Sequence, residues 1–153
     1  MRMHRVGRSL AGLVAAAGLA GTAAFVVAGS PVGYFLFEYG CGSEEEKLGD
    51  VLAEESVLDA QPEEFGEPDP YQHCDDDDLF VVAGKSYSYG GSRDSVLAHY
   101  REAAPAKGWK PRSEDCFAKR IDGTTAFLMV EGPADGTVEI AITADRDDSG
   151  DWC

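Results

Sequence analysis

Not one aspartate or glutamate occurs before Glu38, and from Ser9 to Phe37 there is no charged side chain of either sign. A stretch with no charge to offer water is not an ordinary soluble surface. Cations are scarce throughout: 13 basic residues stand against 28 acidic ones, a net charge of −15. Beyond residue 37 the excess is larger, because Arg2, Arg5 and Arg8 lie before it and ten basic residues are left to face all 28 acids. Such a balance excludes nucleic acid as a partner, since phosphate binding needs a basic face, and it disfavours lying on an anionic lipid surface. The chain also has no CxxC and no paired-histidine spacing, which argues against zinc. It has no GxSxG, and so no nucleophile elbow. No catalytic residue and no cofactor is assigned from sequence, and the chain does not read as an enzyme.

What is present begins with an address. Leu10 to Gly29, taken as a helix, would span about 30 Å, the thickness of a bilayer core. Arginines precede it, while Tyr34, Phe35, Phe37 and Tyr39 follow and suit a membrane–water interface. The pattern predicts a basic cytoplasmic tail over 1–8, a transmembrane segment over 9–37 and an acidic remainder outside, by the positive-inside rule. Signal cleavage near Val26-Val27-Ala28 is the alternative, giving a secreted protein. A lipid-bearing Cys41 fits poorly, because Glu38, Tyr39 and Gly40 are not the small apolar residues such a site needs.

The exported part divides at residue 78. Over 43–58, "SEEEKLGDVLAEESVL" reads as a short helix with Ser43 and Glu46 as a capping box. Leu48, Val51, Leu52 and Glu55 lie on one face, and Gly49 weakens the pattern. Residues 59–78, with Pro62, Pro68, Pro70 and dense carboxylates, read as a linker or wrapped loop. Thus 38–78 is an acidic helix and linker, and 79–153 is the folded ectodomain. In the latter, "LFVVAGKSYSY" is a β-run. "SRDSVLAHYREAA" is a helix capped by Ser92, with Val96, Leu97, Tyr100, Ala103 and Ala104 as its buried stripe. Pro105 disfavours helix at Ala104. Asp122-Gly123 between two β-runs signals a two-residue hairpin. "TVEIAIT" alternates, with Val138, Ile140 and Ile142 on one face, and Gly132 to Gly136 is the loop before it. The fold class expected is α+β: a small β-α-β-β-β domain, an antiparallel meander plus a crossover helix, after an N-terminal transmembrane helix.

"VLAHYREAAPAKGW" resembles a helix-to-Gly-Trp element of small membrane- or lipid-anchored envelope proteins of high-GC Gram-positive bacteria. The resemblance covers residues 79–144 and takes in the charge-flanked N-terminal span. It implies an exported single domain and adds no chemistry.

Four cysteines on an exported segment predict two disulfides among Cys41, Cys74, Cys116 and Cys153, with three connectivities open. If the first strand ran parallel beside the strand after the helix, Cys74 would meet Cys116 and leave Cys41 to Cys153. "DRDDSGD" looks like the first half of a calcium loop, with Asp145, Asp147, Ser149 and Asp151 as candidate metal ligands. The bidentate glutamate of such a loop would fall past Cys153. The competing reading is a solvated acidic tail. His73 beside Asp75 is a weak catalytic pair, and His99 belongs at a solvent border of its helix. Tyr87 and Tyr89 share a strand face and read as core or edge packing before an exposed contact site. The function expected is a non-catalytic, membrane-anchored extracytoplasmic binding or scaffold domain. A calcium-dependent envelope module or a small hydrolase is the alternative. Residues 38–78, which carry 16 carboxylates against Lys47 alone, read either as a spacer whose charge keeps it soluble and extended or as a segment that draws a basic protein partner.

Overall fold

Strict alternation sets the sheet. In the computed structural model, which describes residues 40–153, Val138, Ile140 and Ile142 are fully buried while Glu139 between them is exposed. The expected basic tail and membrane segment lie outside the described residues. Among the described residues no helix is long and apolar enough to cross a membrane. The elements are α1 (Ser43–Ala53), β1 (Asp69–Cys74), β2 (Phe80–Ser88), α2 (Arg93–Ala106), β3 (Lys110–Pro111), β4 (Cys116–Ile121), β5 (Thr124–Ala134) and β6 (Thr137–Asp145). All six strands form one sheet in the order β1-β2-β6-β5-β4-β3, every neighbouring pair antiparallel. The fold is therefore α+β, as its alternating runs and single long helix predict.

One sheet face carries the core. Val81, Ala83 and Tyr87 of β2, Val138, Ile140 and Ile142 of β6, Ala126, Leu128 and Val130 of β5, and Phe117 of β4 cluster with Leu48 and Leu52 of α1. From α2 they receive Val96, Leu97, Tyr100 and Ala104. The stripe read from sequence is thus the buried face of α2, and Ser92 caps that helix by accepting the Ser95 N–H at 3.2 Å. Asp122 and Gly123 both adopt positive φ, 47° and 87°, as a tight hairpin between β4 and β5 requires.

Several expectations need correction. The linker over 59–78 contains β1, an edge strand whose single proline, Pro70, and polar residues hide its period. Val57, Leu58 and Phe65 join the core, so the division at residue 78 does not separate two bodies: Gly40–Cys153 is one compact unit. Helix α1 stops at Ala53 and starts one residue earlier than its expected box. The Glu45 carboxylate, not that of Glu46, accepts the Gly42 N–H at 2.8 Å. Gly49, which weakens the helix on propensity, sits where α1 meets the sheet. A Cβ there would stand 2.2 Å from Gln72 Nε2 and 3.2 Å from Val81 Cγ1, so α1 lies tight on β1 and β2. Helix α2 runs through Pro105 to Ala106, because a proline in the last turn forfeits only one bond near a frayed end. The loop over 132–136 shrinks to a turn at Asp135-Gly136, and β5 continues to Ala134.

Both disulfides form, but as Cys41–Cys74 and Cys116–Cys153. The Cys74–Cys116 pairing rested on a parallel neighbour for the first strand. In the sheet β2, β6 and β5 separate β1 from β4. At about 4.8 Å per strand that gap exceeds what a disulfide spans.

Two polar groups in the core lack a partner among the described residues: the Tyr100 hydroxyl and Trp109 Nε1. Burial pushes the Tyr100 phenol pKa up. A buried hydroxyl without a hydrogen bond costs about 1–3 kcal/mol. Tyr100→Phe should therefore stabilise the protein by about 1 kcal/mol in urea unfolding, whereas a loss would reveal a partner for the hydroxyl.

Candidate functional site

Residues alternate across a sheet, so the positions that face away from α1 and α2 make a second surface. The register gathers them: Tyr71 opposite Gly84, His73 opposite Val82, Val82 opposite Thr143, Met129 opposite Ala141, and Glu131 opposite Glu139. These side chains, with Phe80 and Trp152, line an open hollow of about 430 Å³. Tyr71 and His73 stack with ring centroids 6.3 Å apart. Tyr71 lies over Gly84, where a Cβ would come within 2.7 Å of its ring. Burial chiefly, and then Glu139 and Glu131, push the Tyr71 phenol up to about 12.

The two glutamates share a face because of a bulge. Without it, the turn at Asp135-Gly136 that sets Ala134 opposite Thr137 would pair Glu131 with Ile140 and turn it into the core. The register shifts by one between Glu131 and Ala134, and Glu131 comes out opposite Glu139. Gly132 permits the shift: its φ is 94°, and a Cβ there would stand 2.5 Å from the Thr137 carbonyl oxygen.

The C-terminal segment closes one end. Trp152 packs on Phe80 with centroids 4.7 Å apart, and its Nε1 is buried without a hydrogen-bond partner. The neighbouring Cys153 is bonded to Cys116. The stretch read as a calcium loop folds this segment back. Asp145, 6% exposed, accepts the Ser149 N–H at 3.0 Å, the Gly150 N–H at 2.8 Å and the Ser149 hydroxyl at 3.3 Å. The structure thus brings Asp145 and Ser149 together around the chain's own donors. Asp147 stands exposed, and Asp151 lies 4.0 Å from Arg112. Among the described residues no three histidine, cysteine, aspartate or glutamate side chains converge to hold a metal ion.

Asp148, absent from the sequence candidates for a metal site, is the outer anchor of the same turn. It accepts the Thr125 N–H at 2.7 Å and pairs with Arg120 at 2.6 Å. Hydrogen bonds from Thr125 first, and then the Arg120 guanidinium, lower its pKa from an ordinary 3.8 to about 2. A lowered carboxyl pKa favours the fold wherever the group is charged. That contribution is complete above 3.8 and drains away as pH falls towards 2. Asp148→Asn should flatten the acid limb of melting temperature against pH in this window. An unchanged limb would refute the assignment.

Tyr87, Tyr89 and His99 make structural contacts. The Tyr87 hydroxyl donates to the Leu58 carbonyl at 2.8 Å within the core, and the Tyr89 hydroxyl shares a hydrogen bond with Ser95 Oγ at 2.6 Å. His99 Nε2 contacts the Ala60 carbonyl oxygen at a half-buried border of α2. His73 is exposed in the hollow, stacked on Tyr71. Sequence reasoning missed Tyr71, Met129, Glu131, Glu139 and Trp152, which come from β1, β5, β6 and the C-terminal segment. No family model matches the chain, and neither does any curated protein or solved structure.

Proposed function

We propose that the chain is a membrane-anchored, extracytoplasmic, non-catalytic binding domain that engages a basic protein partner through the open face of its sheet. The charge-free run over 9–37 supports the anchor. Two disulfides suit an oxidising, extracytoplasmic compartment. The observation that carries the binding role is the hollow of about 430 Å³ walled by Tyr71, Phe80, Met129 and Trp152. An open aromatic and apolar surface with few polar groups is a place for a ligand. The acidic segment assigned to the partner from sequence is folded, from Gly40 on, into the same unit, so its charge adds to the field of the whole domain and does not act as a tether.

The test uses the full chain in living cells, with a photoreactive residue at Met129 in the hollow or at Glu102, exposed on α2. Crosslinked adducts in the carbonate-washed membrane fraction are expected from position 129 alone. No adduct from 129, or equal adducts from both positions, would overturn the binding face. Release of the chain by the carbonate wash would overturn the anchor.

A further inference from the structure

Glu131 and Glu139 sit directly opposite each other on adjacent antiparallel strands, both exposed, on the face that carries the hollow. Like charges in that position repel and destabilise a sheet. Neither makes an ion pair or a hydrogen bond with another described residue, whereas eight other acidic side chains are matched to cations. Arg93, which reaches the Gly132 carbonyl at 3.2 Å, spends its charge on Asp115 at 2.6 Å. The pair is aimed outward by the Gly132 bulge, a local departure from regular pairing.

Glu131 is also where three hollows meet. It lines the large one with Trp152 and Tyr71, a second of about 260 Å³ along Gly132, Ala134 and Thr137, and a third of about 210 Å³ beside Asp115 and Cys153. An occupant passing from the first to the second must cross the two carboxylates. The first two are shallow, largely apolar depressions interrupted by paired negative charge.

Resting on the binding role proposed above, we infer that this face docks an extended protein segment in which apolar residues and lysine or arginine stand two apart, so that both point to the same side. The apolar side chains fill the hollow between Tyr71, Met129 and Trp152, and a basic side chain lies between Glu131 and Glu139. Charge complementarity selects this occupant. A second copy of the same chain would set acid pair against acid pair in a protein of net charge −15. A small polyamine would meet the charge but leave the apolar walls empty.

The test is equilibrium binding to the full chain in detergent, read by anisotropy of a labelled Val-Ser-Lys-Ser-Val peptide, whose valines and lysine share one face when extended, with glutamine replacing lysine as control. The lysine peptide should bind and weaken as salt rises. The double variant Glu131→Gln, Glu139→Gln should bind it about tenfold more weakly, because two solvent-facing charge pairs are lost. Glu102→Gln, on the opposite face, should leave binding unchanged. The double variant should also melt higher than the parent, since a repulsion has been removed, and this separates lost binding from lost folding. Equal binding of the glutamine peptide, undiminished binding by the double variant, full competition by spermidine alone, or sedimentation as a dimer that excludes the peptide would each overturn the inference. Adducts at Met129 in cells alongside any of these results would leave the binding role standing and refute only the ligand class.

Discussion

Reducing both disulfides should unfold residues 40–153 at about 37 °C. The bridges close loops of 33 and 37 residues by sequence separation. Loop-closure entropy assigns each about 4 kcal/mol, so together they rival the ~5–15 kcal/mol by which a domain of this size is usually stable. The two are not equivalent in place. Cys41–Cys74 ties the entry to α1 to the end of β1, and α1 packs on that edge through Leu48 and Leu52. Cys116–Cys153 holds the segment that brings Trp152 onto Phe80. The measurement is circular dichroism against temperature with and without a phosphine reductant, alongside thiol counting by intact mass. Four free thiols in the unreduced protein, or a melting curve indifferent to reductant, would show that the bridges carry no stability.

The second large effect is expected at Trp109. It is 1% exposed, and its backbone N–H bonds the Ala104 carbonyl at 3.1 Å, where the chain leaves α2. Lys119 Nζ lies 5.7 Å from the ring centroid and pairs with Glu55 at 2.7 Å, so the indole lies under a bridge from the α1 side to β4. Trp109→Ala should cost about 3–5 kcal/mol, the range for deleting a large aromatic from a packed core. The unpartnered indole N–H places the loss towards the lower end, since its burial penalty disappears with it. Urea unfolding measures the change. Trp152→Ala is the contrast: that side chain sits at the rim of an open hollow, and its removal should enlarge the hollow at little cost to stability. Equal losses from the two substitutions would contradict the assignment of one tryptophan to the core and the other to the surface.

Local signals found what is local. The stripe of α2, its Ser92 cap, the Asp122-Gly123 hairpin and the alternation of β6 each reflect neighbours within a few residues, and each stands in the structure. What the sequence concealed depends on pairing at a distance. Strand β1 is an edge strand with exposed polar positions, so its period is not apolar against polar. The cysteine pairing required the sheet order, and the order places β6 between β2 and β5 where adjacency had suggested another neighbour. The glutamate pair was least legible, because a one-residue bulge at Gly132 decides whether Glu131 faces the core or the solvent. The spacing that makes Asp145 a candidate metal ligand, with a solvated acidic tail as the competing reading, also lets its carboxylate accept the Ser149 and Gly150 N–H groups.

The placement of the bridges also sets how the domain bears tension. Pulled apart at Cys41 and Cys153, the oxidised chain transmits force through one disulfide to Cys74, along the backbone to Cys116, and through the other disulfide. Residues 42–73 and 117–152 are bypassed, including β4, β5 and β6. The load-bearing path is the segment from Cys74 to Cys116, which at about 3.5 Å per residue has a contour length of roughly 150 Å, against about 400 Å for the reduced chain. A domain so wired is short on its leash: a partner tugging on it meets a stop after a fraction of the extension that its length would otherwise allow.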